Sequence, residues 1–465
     1  MKILLINPPI REGSPSYHQP FGLASIALML RNAGHSPTIY DINSTRHTRE
    51  EVAQYLPNED FDMVGVGGLI TTYKYCNFLF PLLREVYKNT PLVLGGGGIT
   101  SAPEVFMENL RPDYGVLGEG EYTMLELANG DNVSDIAGLA YYESDKLKFN
   151  APRPLEKDLD KFGMGAIDLL DMEKYATAVC HNFEKKRELT MVATRGCPRN
   201  CAFCYHVFGR SCRYRSVEAV LDEMEYYVDK YKVGSIMFCD ELFTARRSYV
   251  MRFCEEKLKR KIDVEWSCLA RVDSIDEEMV ALMSRAGCIH MGFGIESGSQ
   301  RILDEMNKGV TPEQAADAIR LAGRYFRTVR GSFIFGMPGE DQESIDETIL
   351  WCASLHMNPG FYHLNPYPGT KVYHDNFDKI IQKYGNEHNY FSALGDAAEF
   401  VINLTKYTDY EYFQLKSHME SDIMMRSLQL GLVTVADGIP RDYVHDGKIL
   451  CIRPKRFQEG DEWSL

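Results

Sequence analysis

The chain has 465 residues, 45% of them hydrophobic and 25% charged, a composition that fits a globular protein with more than one core. Its 66 acidic against 51 basic residues give a net charge of −15 and argue against tight binding of nucleic acid through many phosphate contacts. No run approaches the ~20 apolar residues of a membrane span, and the apolar start Lys2–Ile6 stops at Pro8 and Pro9, too short for a signal sequence.

The first ~130 residues alternate short β-rich runs with helices. Strands are predicted at Lys2–Ile6, Pro37–Tyr40, Asp62–Val66, Pro91–Leu94 and Tyr114–Leu117, with helices over Gly22–Ala33, Thr72–Tyr87 and Ala102–Leu110. That order predicts a doubly wound parallel sheet, Rossmann-like, over residues 1–135, with its ligand beyond the carboxyl ends of the strands. Glycine clusters fall at those ends, at Gly65–Gly68, Gly95–Gly98 and Gly118–Gly120. They are either tight turns or a close approach of backbone to a large ligand. A hairpin over Ile136–Tyr142 and Lys146–Asn150 and an irregular linker to Lys186 follow, residues 136–186 in all.

A second alternating series occupies residues 187–385. Its strands are predicted at Leu189–Thr194, Gly234–Cys239, Val264–Leu269, His290–Ile295, Thr328–Phe335 and Gly360–Asn365, with helices between them, a partial (β/α)6 barrel. Residues 386–465 read as mostly helical, including Asp409–Leu430, after a helix over Tyr373–Tyr384; the last ~35 residues are unassigned.

Cys197, Cys201 and Cys204 put three thiolates in a C-x3-C-x2-C run, just past the first barrel strand on the face where barrel chemistry is built. A zinc site or a fully ligated four-iron cluster wants four protein ligands. Three cysteines leave one iron of a [4Fe–4S] cluster open to a small molecule. The nine others (Cys76, Cys180, Cys212, Cys239, Cys254, Cys268, Cys288, Cys352 and Cys451) lack ligand spacing and are expected to be mostly small buried residues in a protein of the reducing cytoplasm.

The cysteine segment resembles the signature of the radical S-adenosylmethionine (SAM) superfamily. Asp240-Glu241 stands where that family grips the SAM amino group, although a carboxylate facing a helix dipole is the plainer reading. Gly331–Glu340 resembles the family's G-x-I-x-G-x-x-E strand and loop, one residue longer, so Ser332, Phe333 and Gly336 are implied at the adenine. Phe203 is implied beside the adenine, Glu296 at the ribose or ammonium, and Arg271 at the SAM carboxylate unless it makes a surface salt bridge. Tyr205, His206, Tyr362, His363 and Tyr367 are substrate candidates, with packing as the alternative for each.

Asn7-Pro8-Pro9, Pro20–Ala24, Asp41, Gly95-Gly96, Pro103-Glu104 and Gly118–Glu121 resemble, in order, the first domain of the cobalamin (B12)-binding subgroup. The likeness implies cobalamin contacts from Pro9, Gly22, Leu23, Thr71, Gly95, Gly96, Gly97, Gly98, Thr100, Gly118, Glu119 and Gly120. No D-x-H-x-x-G run offers a lower cobalt ligand, and Gly98 stands where relatives often carry histidine. The four-glycine loop therefore either hugs a corrin ring or marks a domain that kept the fold and lost the cofactor.

The resemblance implies a [4Fe–4S] cluster, SAM, cobalamin, a small-molecule substrate and an electron donor such as flavodoxin or ferredoxin. The expected reaction is cobalamin-dependent methylation. One SAM methylates reduced cobalamin, and a second, cleaved at the cluster, gives a 5′-deoxyadenosyl radical that takes hydrogen from an unactivated carbon of the substrate. Rearrangement, cyclisation or dehydration without methyl transfer is the alternative. From another class, a non-catalytic iron–sulfur or corrinoid-binding protein would need neither the acidic pair nor the adenine strand. A tRNA methylthiotransferase is disfavoured because no N-terminal three-cysteine cluster is present.

Overall fold

The structure, a computed structural model, describes residues 1–12, 18–57, 59–176, 186–355 and 359–429, with four two-residue strands between Val435 and Ile449. Cys180, Cys451 and most of the unassigned C-terminal stretch lie outside the described residues.

The first unit is built on strands β1 (Lys2–Asn7), β2 (Ser36–Asp41), β3 (Met63–Gly67), β4 (Leu92–Gly95), β5 (Tyr114–Val116), β6 (Leu139–Glu143) and β7 (Lys146–Phe149). They lie in the order β2-β1-β3-β4-β5-β6-β7. The first five are mutually parallel, and the hairpin β6–β7 extends the same sheet with antiparallel strands. β1 is apolar on both faces because helices cover both, and Ile3, Leu4, Leu5 and Ile6 are all buried. Strand order reverses between β1 and β3, the switch point where such sheets leave a crevice for ligand. Helices Arg49–Tyr55 and Glu121–Asn129 carry weak local signals: the first has one buried apolar residue, and the second begins inside the Gly-Glu-Gly-Glu run.

The second unit contains β8 (Glu188–Met191), β9 (Thr194–Arg195), β10 (Arg213–Tyr214), β11 (Ser235–Phe238), β12 (Glu265–Ala270), β13 (Cys288–Glu296), β14 (Thr328–Phe335) and β15 (Gly360–His363). Six of these form one curled parallel sheet in the order β15-β14-β13-β12-β11-β8, the expected half-barrel. Its outer face packs on helices through Trp266, Phe238, Phe243 and Phe253. Among the described residues no helix is long and apolar enough to cross a membrane.

The helix expected over Tyr373–Tyr384 is two, Lys371–Asp375 and Phe377–Tyr384. Between them the Asn376 side chain donates to the Val372 carbonyl at 2.9 Å, competing with the helical ladder. The next helix, Glu387–Ala393, ties the barrel to the first unit: the Tyr73 hydroxyl meets His388 Nδ1 at 2.8 Å, and Asn77 donates to Ser392 Oγ at 3.0 Å.

Candidate active site

The cysteine loop is closed at its neck. β9 and β10 pair antiparallel, with Arg195 opposite Arg213, and Cys197, Cys201 and Cys204 lie on the loop between them. Gly196, at φ +92°, turns the chain where a Cβ would come 2.5 Å from the Ser211 carbonyl oxygen. The loop is braced from below: Ala202 N–H donates to Met306 O at 2.8 Å, Asn307 Nδ2 to Asn200 O at 2.7 Å, and Val372 N–H to Ala202 O at 3.0 Å. Among the described residues no three His, Cys, Asp or Glu side chains converge as they would on a single ion. Three thiols on one loop leave a fourth position open, which suits a [4Fe–4S] cluster better than a structural zinc site with its four protein ligands.

Asp240 and Glu241 follow β11. Asp240 is buried; one oxygen accepts from Ala193 N–H at 3.0 Å, and Oδ2 has no partner among the described residues. Burial raises Asp240 to about 6 and Glu241, which opens into the cavity described below, to about 7.

Arg271 is buried and already engaged, donating to Asp273 Oδ1 at 2.9 Å and to the Lys308 carbonyl at 2.7 Å, with Nη1 3.7 Å from Cys201 Sγ. It backs the cysteine loop rather than waiting for a carboxylate. Glu296, the last residue of β13, has φ +73° where the register with β14 slips, and its carboxylate pairs with buried Lys308 at 2.8 Å. That Lys308 Nζ also sits 5.8 Å from the centre of the Phe203 ring. Lys308 is not among the residues the sequence points to; the turn-forming run Asn307-Lys308-Gly309 is its one local signal.

Ser332 lies on the inner face of β14, whereas Phe333 points outward into the core against Trp351 and Phe361, because side chains alternate along a strand. Phe333 is thus removed from the adenine candidates. Gly336, at φ +117°, lies under the Tyr412 hydroxyl and donates its N–H to Glu340 at 2.6 Å. By the same alternation Tyr362 faces inward and His363 outward, where His363 Nδ1 meets the Tyr412 hydroxyl at 2.9 Å. His363 is packing. The ring of Tyr205 lies on Gly369, and the Tyr367 hydroxyl donates to Gly395 O at 3.2 Å. Both ring nitrogens of His206 are buried without a partner among the described residues.

A mainly apolar cavity of about 590 Å³ separates the carboxyl edges of the two sheets. From the first unit Gly22, Leu23, Gly95, Gly96, Gly97, Gly118, Glu119 and Gly120 line it; from the second come Val192, Thr194, Phe208, Asp240 and Glu241. Pro9, Thr71, Gly98 and Thr100 are not among the residues that line it. Thr100 Oγ1 is spent on Gly96 O and Gly118 N–H, at 2.8 and 3.0 Å. A Cβ on Gly98 would lie 2.9 Å from the Leu69 backbone, so the missing histidine has a steric reason. Gly96, at φ +100°, would put a Cβ 2.4 Å from Gly68 O. Glu119 lines the cavity, but its carboxylate is occupied by Arg195 Nη1 at 3.1 Å, Arg213 Nη1 at 2.9 Å and Glu156 N–H at 3.0 Å. Glu121 takes Arg195 Nη2 at 2.6 Å. The first unit therefore grips the two arginines at the neck of the cysteine loop.

Residues 191–352 match the radical SAM superfamily, and residues 10–128 match the B12 binding domain. An uncharacterized methyltransferase of Pyrococcus horikoshii is 32% identical over 386 residues, 80% of this chain and 82% of that protein. This chain belongs to the B12-binding radical SAM family. Another relative of this family member, the anaerobic magnesium-protoporphyrin IX monomethyl ester cyclase of Rubrivivax gelatinosus, is 29% identical over 411 residues, 85% of this chain and 73% of that protein. The fold is also that of the radical SAM methyltransferase TsrM from Kitasatospora setae, solved with cobalamin and a [4Fe–4S] cluster bound: TM-score 0.68 at 18% identity, over 82% of this chain and 78% of that one. The cofactors of this B12-binding radical SAM enzyme are a [4Fe–4S] cluster, SAM and cobalamin, and its chemistry calls for a reductant and a small-molecule substrate. The residues present fit that set: three thiols on one braced loop, an orphaned carboxylate oxygen at the cavity, and a glycine-edged wall opposite.

Proposed function

We propose that the protein methylates an unactivated carbon of a small molecule, drawing electrons from a flavodoxin or ferredoxin. The observation that carries the reading is the shared cavity, walled by glycine loops on one side and by Asp240, Glu241 and the neck of the cysteine loop on the other. A site with this lining brings two cofactors to one substrate. Loaded, such a site supplies hydrogen abstraction and methyl transfer.

The chain's own part is positioning. Cys197, Cys201 and Cys204 would hold three irons, with Arg271 against Cys201. Asp240 Oδ2 would accept from the SAM ammonium, which its unpaired, buried state favours. Phe203 and Ser332 would border the adenine, and Glu296, fixed by Lys308, would meet the ribose hydroxyls. Gly95–Gly97 and Gly118–Gly120 would let backbone approach the corrin ring, and Phe208 and Leu23 would keep water from it. The relatives named methyltransferase favour this reading; the cyclase relatives favour a second one, radical cyclisation without methyl transfer.

Anaerobic purification with reconstituted cluster and cobalamin, followed by metal and product analysis, separates the two. Methylation yields S-adenosylhomocysteine as well as 5′-deoxyadenosine, and cyclisation yields only the latter. Turnover of substrate by protein that contains no cobalt would refute the cobalamin-dependent reading.

A further inference from the structure

We propose that the inner face of the half-barrel carries a subsite for an anionic group of the substrate, a carboxylate, phosphate or phosphonate, with Arg330 as its cation and the Tyr362 hydroxyl as a second donor. The inference rests on the reading that substrate reacts at the mouth of this half-barrel.

Alternation along β14 sets Thr328, Arg330 and Ser332 inward, and the contact of Thr328 Oγ1 with inward-facing His290 Nδ1 at 2.7 Å fixes that face. Arg330 is registered with Gly292 on β13, and Ser332 with Gly294 on β13 and Gly360 on β15. The missing side chains let neighbours lie flat on this face: Leu269 over Gly292, and Glu296 with Lys308 over Gly294. Leu269, registered with Gly292 from the other side, is 44% exposed although it sits in the middle of a six-stranded sheet. The guanidinium lies across Gly360, where a Cβ would come 2.9 Å from Nη2.

Arg330 has no carboxylate partner among the described residues. Among the described residues it makes no ion pair, and its side chain donates only to the Tyr362 hydroxyl, at 3.4 Å. Arg195, Arg213, Arg215, Arg271 and Arg327 each hold a carboxylate, and half-buried Arg46 is satisfied by the carbonyls of Arg11 and Glu12; Arg330 has neither. A half-buried guanidinium pays part of its desolvation without a partner, and its planar fork is matched by a bidentate oxyanion. The adjoining open face of Leu269 would take the apolar body next to that group.

Isothermal titration of reconstituted holoenzyme with phenylphosphonate and with its uncharged dimethyl ester tests the subsite. Wild type should bind the phosphonate about tenfold more tightly than the ester. Arg330→Met should erase that preference and leave ester binding, iron content and SAM affinity unchanged. Tyr362→Phe should weaken the phosphonate by about threefold. Should Arg330→Met not fold, Arg330→Gln carries the same readout. Equal affinity for phosphonate and ester in wild type, undiminished phosphonate binding in the Arg330 variant, or a loss of SAM affinity in its place would overturn the proposal. Whether methyl is transferred is read separately, from S-adenosylhomocysteine, so the subsite and the reaction class fail independently.

Discussion

Truncating Glu119 to alanine should loosen the hold of the first unit on the cysteine loop. The carboxylate is 5% exposed and accepts from Arg195, Arg213 and Glu156 N–H. After truncation Arg195 keeps Glu121 at 2.6 Å, but Arg213 keeps only the carbonyls of Glu156 and Phe208, at 2.6 and 3.3 Å. Breaking a buried pair from one side costs about 3–5 kcal/mol, and the carbonyls left to Arg213 place this case at the lower end, about 3 kcal/mol. That is a large share of a typical domain's stability of about 5–15 kcal/mol. Urea unfolding of holoenzyme under anaerobic conditions reads the energy, and the rate at which a chelator strips iron reads the loop. Glu126→Ala, which removes the more exposed partner of Arg153, serves as control and should cost about 1 kcal/mol or less. If Glu119→Ala behaves like that control and releases iron no faster than wild type, the buried network does not hold the loop.

Alanine at any of Cys197, Cys201 or Cys204 should abolish both cluster iron and 5′-deoxyadenosine formation; substantial retained cleavage would sink the cluster assignment. Gly96→Ala adds a Cβ 2.4 Å from Gly68 O at a positive φ, so a loss of about 1–3 kcal/mol and of cobalt uptake is expected, read by melting and metal analysis. Glu340 is buried and raised to about 8 from an ordinary 4.5, so the folded state holds the proton more tightly than the unfolded one. Its contribution is full below pH 4.5 and is lost as pH rises from there to 8; Glu340→Gln should flatten the decline in melting temperature across that window, and an unchanged slope counts against it.

Strands β1, β3, β4 and β14 were legible because apolar runs and punctuating glycines act locally, and the cysteine spacing is local in the same sense. Phe333 and His363 were misplaced, yet the signal was present: with Ser332 and Tyr362 inward, a period of two sends their neighbours out. Glu119, Arg195 and Arg213 were beyond reach in a different way. Their partnership joins residues 76 and 94 positions apart, across two sheets, and nothing in the flanking sequence specifies it. Lys308 is an intermediate case, placed by a short turn but given its meaning by Glu296, 12 residues earlier.

The free edges of the two sheets bear on how the protein behaves in a crowded solution. An unpaired strand is a template on which another chain can polymerise. Here the first sheet ends on β7, whose Lys146 and Lys148 are exposed, and on β2, which carries Pro37 and so lacks one donor. The half-barrel handles β15 differently, with His363 N–H donating at 2.7 Å to the Ala397 carbonyl of the irregular chain beside it. Charge, a missing donor and a backbone cover thus each blunt one boundary against self-templating, and replacing the two lysines with valine would open the first of them to aggregation.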